Sequence, residues 1–233
     1  MKAGSLFAST LVCLGACSQG YTQTVIKDWT VSDPIPDGSA VGLANTQTIQ
    51  GLAGDILSLK VNLNLTERGG PAFNGDLYVT LLHDTGFSVL LNRPGTTAGN
   101  VLGYGDSGLN VTFADGPGAL DIHSYRFELS GSDTVPLAGA LTGTWRSDGR
   151  TTDPDVVTLN DPRTATLASF NGLDPNGNWT LFVADTEAGN RATLQGWGLE
   201  LTLIPEPKSA AVFGLFASVL GVWLCRRYGQ TAR

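Results

Sequence analysis

The feature that most constrains the fold is a strict alternation of apolar and polar residues from Leu57 to Leu65. Every second residue is leucine or valine, and the residues between them are serine, lysine and asparagine. A period of two places five apolar side chains on one face of an extended strand. The segment therefore predicts a long strand in a sheet that has one buried face and one wet face.

The same signal recurs along the chain between clusters of turn residues. Shorter alternating runs occupy Leu77–Leu81, Trp179–Val183 and Trp197–Leu203, and segments such as Asp115–Gly118 and Asp174–Asn178 are rich in Gly, Pro, Asn and Asp. Short strands separated by such turns favour two packed antiparallel sheets. The fold class predicted from the pattern is all-β, an antiparallel β-sandwich.

The N-terminus is typical of an exported protein. Lys2 precedes an uncharged stretch, Leu6 to Ala16, with the length of a signal-peptide core. Residues 1–24 are therefore predicted to be a signal peptide. An alternative remains open, because Leu14-Gly15-Ala16-Cys17 resembles a lipobox, in which Cys17 would become the lipidated first residue.

The C-terminus combines a short motif, an apolar run and a basic pair. Pro205, Glu206 and Pro207 precede the uncharged residues 209–224, and Arg226 and Arg227 follow closely. This order predicts a transmembrane helix over 209–224 whose basic end stays cytoplasmic. Residues 205–233 resemble the PEP-CTERM sorting signal, which implies a membrane protease called exosortase as partner. The alternative is a plain membrane anchor.

The central body, residues 25–204, contains no cysteine, since Cys13, Cys17 and Cys225 lie outside it. It must therefore be stabilised by burial without disulfides, and its length suffices for one domain. Nine Lys and Arg against twenty Asp and Glu give the body a net charge of −11. That charge disfavours nucleic acid and anionic lipid as partners and is compatible with calcium.

Several motifs of the body resemble the P domain of proprotein convertases. They comprise Gly75–Leu81, His83–Gly86, Leu90–Arg93, Phe113–Asp115, Leu167–Phe170, Gly177–Asp185 and Leu194–Leu201. The last two follow that family's closing pair of strands, Gly-x-Trp-x-Leu-x-Val-x-Asp and Leu-x-x-Trp-x-Leu. The resemblance implies a jelly-roll-like sandwich over residues 25–204, next to which a subtilisin-like catalytic domain is usually found.

Trp179 and Trp197 are predicted to be core residues. Each begins an alternating run that continues with Leu and Val on the same face, as expected for packing near the start of antiparallel neighbours. The alternative is a solvent-facing aromatic pair that binds sugar rings. Asp185, the last residue of the first closing strand, is expected to bond the amides of the next loop.

No catalytic constellation emerges from the sequence. Gly105-Asp106-Ser107-Gly108 matches the residues around a chymotrypsin-like nucleophile, but the flanking residues differ, and His83 and His123 have no second His or Cys at ligand spacing. The chain is therefore predicted not to be an enzyme.

No cofactor is assigned from the sequence, and calcium is the one for which the resemblance makes some case. Bacterial P domains hold calcium in acidic loops, and turn aspartates occur here at Asp76, Asp106, Asp115, Asp121 and Asp185. Their spacing is not that of an EF-hand, and solvated turn aspartates explain them equally well, so no ligand is assigned.

Two functions follow from these observations. The first is a non-catalytic surface or extracellular-matrix protein that is sorted by its tail and binds polysaccharide or envelope proteins. The second is an accessory part of a secreted subtilisin-like protease system. The resemblance implies this role because P domains are usually found next to a subtilisin-like catalytic domain.

Overall fold

The computed structural model describes residues 21–204, which form ten strands and one short helix. Within that range no helix is long and apolar enough to cross a membrane. The elements are β1 (Gln23–Pro34), β2 (Ser39–Ile49), β3 (Asp55–Glu67), β4 (Leu77–His83), β5 (Gly86–Asn92), β6 (Leu109–Ala114), β7 (Leu120–Asp121), α1 (Tyr125–Ser130), β8 (Leu141–Arg146), β9 (Gly177–Asp185) and β10 (Ala192–Ile204). Single 3-10 turns cover Asn74–Asp76, Ile122–Ser124 and Leu167–Phe170.

The strands form two sheets, which confirms the predicted all-β sandwich. Sheet A has the order β1-β10-β3-β6-β8-β7, and sheet B has the order β2-β9-β4-β5. The prediction that all strands are antiparallel was wrong, because β8 runs parallel to both β6 and β7. After β7 the chain returns through α1 and residues 131–140 to the starting end of β6, so that β8 runs in the same direction.

The strand predicted from the alternation is β3, but the residues at its start do not face the side of the sheet that the alternation predicts. Leu59, Val61 and the two leucines after them face the core, whereas Leu57 is 45% exposed and Ile56 is buried instead. The reason is a register irregularity between β3 and β10, where Ser58 pairs with Thr202 but Ile56 pairs with Leu203. This bulge reverses the facing of the residues that precede it.

The core lies between the two sheets and is filled by aliphatic side chains with a few large rings. Trp179 is 0% exposed and Trp197 is 3% exposed. The two residues do not lie on neighbouring strands as expected, because β9 belongs to sheet B and β10 to sheet A. Consecutive strands that alternate between sheets place the two rings in opposite layers of the same core.

A second bulge lies at the start of β10, between Leu194 and Gly196. A Cβ atom on Gly196 would lie 2.6 Å from the carbonyl oxygen of Trp29, which is closer than van der Waals contact allows. Glycine at this position therefore lets β1 approach β10 next to Trp197.

Replacement of either tryptophan by alanine should destabilise the fold far more than replacement of Thr180, the half-buried residue that follows Trp179. Each Trp→Ala variant leaves a cavity in the core, with an expected loss of about 3–5 kcal/mol. Thr180→Ala removes one hydrogen bond to Thr46, with an expected loss of about 1 kcal/mol or less. Urea melts of the three variants check the ranking, and parental melts for both tryptophan variants would contradict the core assignment.

Candidate functional site

The predicted sorting residues Pro205, Glu206, Pro207, Arg226 and Arg227 lie outside the described residues, as does the predicted helix over 209–224. The predicted signal peptide, 1–24, lies outside them too, apart from its last four residues. Of these, Gln23 and Thr24 begin β1 by pairing with Leu203 and Thr202. The two ends of the sandwich are therefore adjacent in sheet A, and the assignments of both termini stay predictions.

Trp179 contacts two neighbouring rings and donates a hydrogen bond to one carbonyl group. Its ring stacks on His83, with centroids 3.9 Å apart and planes 4° from parallel, and it also contacts Phe170 at 5.3 Å. Its indole Nε1 donates to the carbonyl oxygen of Pro175 at 3.0 Å. With no exposed face, this ring is unavailable to a sugar ligand.

His83 fixes the turn that leads into β9. Its two ring nitrogens lie 2.9 Å from the carbonyl oxygen of Asn178 and 2.7 Å from that of Asp174. The imidazole thus bridges the end of β4 and the turn before β9 while it supports Trp179. His83 therefore has a structural role.

Trp197 joins the two sheets. Its indole Nε1 donates to Oδ1 of Asn45 on β2 at 2.9 Å, so that a side chain of sheet A bonds a side chain of sheet B. Its ring also packs against Trp29 of β1, with centroids 4.5 Å apart. The closing motif of the sequence therefore supplies one anchor to each sheet.

Ser107 is not arranged as a nucleophile. Its hydroxyl donates to Oε2 of Glu67 at 3.0 Å and accepts a bond from the amide of Ala72. His123 is buried elsewhere, with Nδ1 at 2.9 Å from Asp148 and Nε2 at 3.1 Å from the carbonyl oxygen of Thr96. Neither histidine contacts Ser107, so the residues required for a serine triad are not brought together.

Of the five turn aspartates only Asp115 is exposed, so the alternative of solvated turn aspartates does not hold for the other four. Asp106 accepts bonds from the Arg126 guanidinium, the Tyr125 hydroxyl and the Leu137 amide, at 2.7–2.9 Å. Burial acts to raise the pKa of Asp106, but these donors outweigh it and hold the pKa below its ordinary value.

Asp121 belongs to a second buried ion-pair network, which the sequence did not reveal. Arg150 donates to Asp121 at 2.8 Å and to Asp148 at 3.0 Å, and Asp148 also bonds His123. Burial again acts to raise the pKa of Asp121, but the bonds from Arg150 prevail and lower it. The partners lie 29 and 2 residues apart along the chain, and no sequence motif links them.

Asp76 and Asp185 differ from the other buried aspartates because they lack partners. Among residues 21–204, the buried carboxylate oxygens without a hydrogen bond are Oδ2 of Asp76 and both oxygens of Asp185. Burial, only partly opposed by Arg93, raises the pKa of Asp76 to about 6. Burial, together with the charge of Asp76, raises the pKa of Asp185 to about 7.

The expected role of Asp185 at the end of its strand was therefore wrong. The nearby amide of Glu187 slightly opposes the rise in the pKa of Asp185, but neither carboxylate oxygen meets hydrogen-bond geometry with any loop amide. In the part of the chain that the structure describes, no three His, Cys, Asp or Glu side chains cluster as a metal site.

Acidification should destabilise the fold through Asp106 and Asp121. Because their folded-state pKa values are lowered, their stabilising contribution is present above the ordinary carboxyl pKa of about 3.9 and is lost as the pH falls below it. We expect the melting temperature to decline below about pH 4, and Asp106→Asn to melt lower at pH 7 with a flatter acid decline. The exposed Glu128→Gln serves as control. An unchanged profile in Asp106→Asn would contradict this account.

Comparison with known proteins points to the region that contains these anchors. Residues 149–201 match the model of the proprotein convertase P-domain family, a range that includes all of β9 and most of β10. No curated protein matches the chain. A solved structure of the Aeromonas sobria serine protease and chaperone complex aligns with 80% of this chain, at 14% identity and a TM-score of 0.43; the chain spans 28% of that protein. Residues 149–201 are therefore similar to the proprotein convertase P-domain.

Proposed function

We propose that this protein is a non-catalytic exported surface or extracellular-matrix protein. Its β-sandwich, residues 25–204, acts as a P-domain-like binding and structural module, and its tail is a sorting signal read by an exosortase-type membrane protease. The observation that carries the proposal is the P-domain match over residues 149–201, together with the structural use of that region's motif residues. A fold assigns an activity only through a site.

The non-catalytic role is supported by what the polar side chains do. Ser107 is bonded to Glu67, His83 supports Trp179, and His123 is paired with Asp148. Each residue that a Ser–His triad would use is thus engaged in a separate structural contact. None of these three contacts places a histidine beside Ser107, as a serine triad requires.

The sorting role is supported by the boundary between the sandwich and the tail. Pro205 follows directly on Ile204, the last described residue of β10. The described pairs of β10 with β1 and β3 extend to Leu203 and Ile204, which precede the tail. Removal of the tail after the Pro-Glu-Pro motif would therefore leave all of these described pairs in place.

The outer face of sheet A is the surface that suits a polysaccharide partner best. An open cleft there is lined by side chains that include Asn62, Asn64, Asn110 and Gln195. Amide side chains both donate and accept hydrogen bonds, which matches the hydroxyl groups of a sugar chain. Binding of polysaccharide or of an envelope protein on this face forms part of the proposal.

An accessory role in secreted proteolysis is the second candidate. It is favoured by the family match alone, since the P-domain family is named for proprotein convertases. In this case the chain would bind a separate serine protease and contribute no catalytic residue of its own. The two candidates differ in partner, so that a chemical probe distinguishes them.

The mass of the native protein tests export and sorting. Protein isolated from the cell envelope should lack the signal peptide and everything after the region of Pro205, Glu206 and Pro207. Intact-mass spectrometry provides the measurement, with the unprocessed chain as reference. A mature form that retains Arg226 and Arg227 would reduce the tail to a plain anchor.

Labelling with a fluorophosphonate probe tests the absence of catalysis and the second candidate together. The purified chain should neither become labelled nor cleave casein, with an authentic serine protease as positive control. Labelling at Ser107 would overturn the non-catalytic assignment. If native purification brings down a separate labelled protease, the accessory role replaces the structural one.

A further inference from the structure

The two sheets end at different widths on the side that carries β1 and β2. Sheet A ends with β1, which lies beyond β10, whereas sheet B ends with β2. The indole of Trp197 on β10 donates to Asn45 of β2, so β2 lies opposite β10 and β1 extends one strand further. Because the strands of packed sheets run nearly parallel to one another, this step leaves space beside β2 for one more strand.

The side chains that face this step are incompletely buried. Lys27 and Trp29 of β1 pair with Leu199 and Trp197 of β10, which face the core, and directly opposed residues share a face. Lys27 and Trp29 are nevertheless only half-buried, whereas both of their partners on β10 are buried. The half-buried, inward-facing residues of the two edge strands define an edge groove. They are Val25, Lys27 and Trp29 of β1, with Leu43, Asn45 and Gln47 of β2.

The free edge of β2 is regular, uncharged and uncovered. Ser39–Ile49 contains no charged residue, and its pairing with β9 is continuous from Leu43 to Ile49. Among residues 21–204, no loop forms a backbone hydrogen bond with this edge, whereas the edge of β5 is covered by bonds such as that from the amide of Gly149 to the carbonyl oxygen of Val89, at 2.8 Å. An uncovered edge offers unpaired N–H and C=O groups to another strand.

Lys27 gives the groove a positive charge. An inward-pointing charge and a bulge, which here lies between Thr30 and Asp33, are both features that discourage pairing at an edge strand. The edge of β1 is therefore protected, and β2 is left as the receptive one. None of the ion pairs among residues 21–204 includes Lys27, so its charge favours an occupant that carries a carboxylate.

A second copy of this chain does not fit the groove. Antiparallel pairing of β2 with its counterpart in another copy requires a two-fold axis perpendicular to sheet B. Because β10 lies opposite β2 in each copy, that axis would bring the second copy's β10 to the position that β1 occupies. The step therefore accepts a single strand with no second sheet behind it, which is the form of an extended peptide segment.

We propose that the edge groove binds an extended segment of another protein, which pairs with β2 as a fifth strand of sheet B. The side chains of this segment that face β1 are two apolar residues with a carboxylate between them. The carboxylate meets Lys27, and the apolar residues cover Val25 and Trp29. Main-chain bonds supply affinity in this mode of recognition, and alternate side chains supply specificity. The groove is separate from the cleft on the outer face of sheet A.

A designed peptide tests the charge preference. The full chain in detergent should bind acetyl-Thr-Val-Thr-Glu-Thr-Val-Thr-amide one to one in isothermal titration, with a Kd of about 0.1–1 mM. The same peptide with lysine in place of glutamate should bind about tenfold more weakly, because like charges would meet in the groove. Equal affinities for the two peptides, or no binding of the glutamate peptide, would overturn the proposal.

N-methylation tests whether the peptide pairs as a strand. In an extended peptide, alternate residues direct their amide groups to opposite edges. Two isomers of the glutamate peptide, methylated on the amides of one edge or of the other, have the same composition, and only one of them should retain binding. Equal affinities of the two isomers would overturn the proposal. The measurement uses the parental chain, so it does not depend on the folding of a variant.

Substitution of Lys27 locates the charge. Lys27→Gln should lose the preference for glutamate over lysine peptide, whereas Lys60→Gln, which removes a lysine that pairs with Glu200, should retain it. Because the two peptides are compared on the same variant, a general loss of affinity does not affect the result. A preference that persists in Lys27→Gln would overturn the proposal.

The indole signals locate the peptide independently. During titration with the glutamate peptide, the Nε1–H signal of Trp29 should shift in NMR spectra of the full chain. The signal of Trp145 should not shift, since that residue lies on β8 near the other edge of sheet A and its Nε1 donates to Thr142. A shift of the Trp145 signal without one of the Trp29 signal would place the peptide elsewhere and overturn the proposal.

Discussion

The sandwich depends on two tryptophans that anchor its closing strands in opposite sheets. Trp179 of β9 stacks on His83 in sheet B, and Trp197 of β10 reaches from sheet A to Asn45 of sheet B. Since β10 lies between β1 and β3, and β9 between β2 and β4, each anchor occupies an inner strand of its sheet. Loss of either ring would therefore disturb the pairing of its strand with the neighbouring strands on both sides.

Charge in the interior is organised around arginines. Arg126 binds Asp106 and Arg150 binds Asp121 and Asp148, so that segments without regular pairing are joined by ion pairs to the ends of the strands. Asp76 and Asp185 are the exception, since three of their four carboxylate oxygens are buried without a hydrogen bond. The polar residues that resemble catalytic ones, Ser107, His83 and His123, are used in structural contacts.

The sequence predicts the strands that have one wet face but not those whose signal is weak. Alternation indicated β3, and the closing motif indicated β9 and β10, because apolar residues recur there at a period of two. β8 lies within Gly139–Pro154, which is rich in glycine and polar residues, and its parallel pairing depends on a distant crossover. The burial of Asp185 could not be predicted either, since it arises from packing at the end of a sheet and not from the local sequence.

The exchange of indole hydrogens with solvent tests most directly whether the closing motif is a packing device. NMR of the purified protein resolves each Nε1–H signal. Trp29 provides an internal reference, because it is half-buried and its Nε1 forms no hydrogen bond among the described contacts. The Nε1–H groups of Trp179 and Trp197 donate to Pro175 and Asn45 inside the fold. They should exchange only through global unfolding, far more slowly than that of Trp29. Exchange as fast as that of Trp29 at both positions would contradict the account and identify the rings as exposed binding platforms.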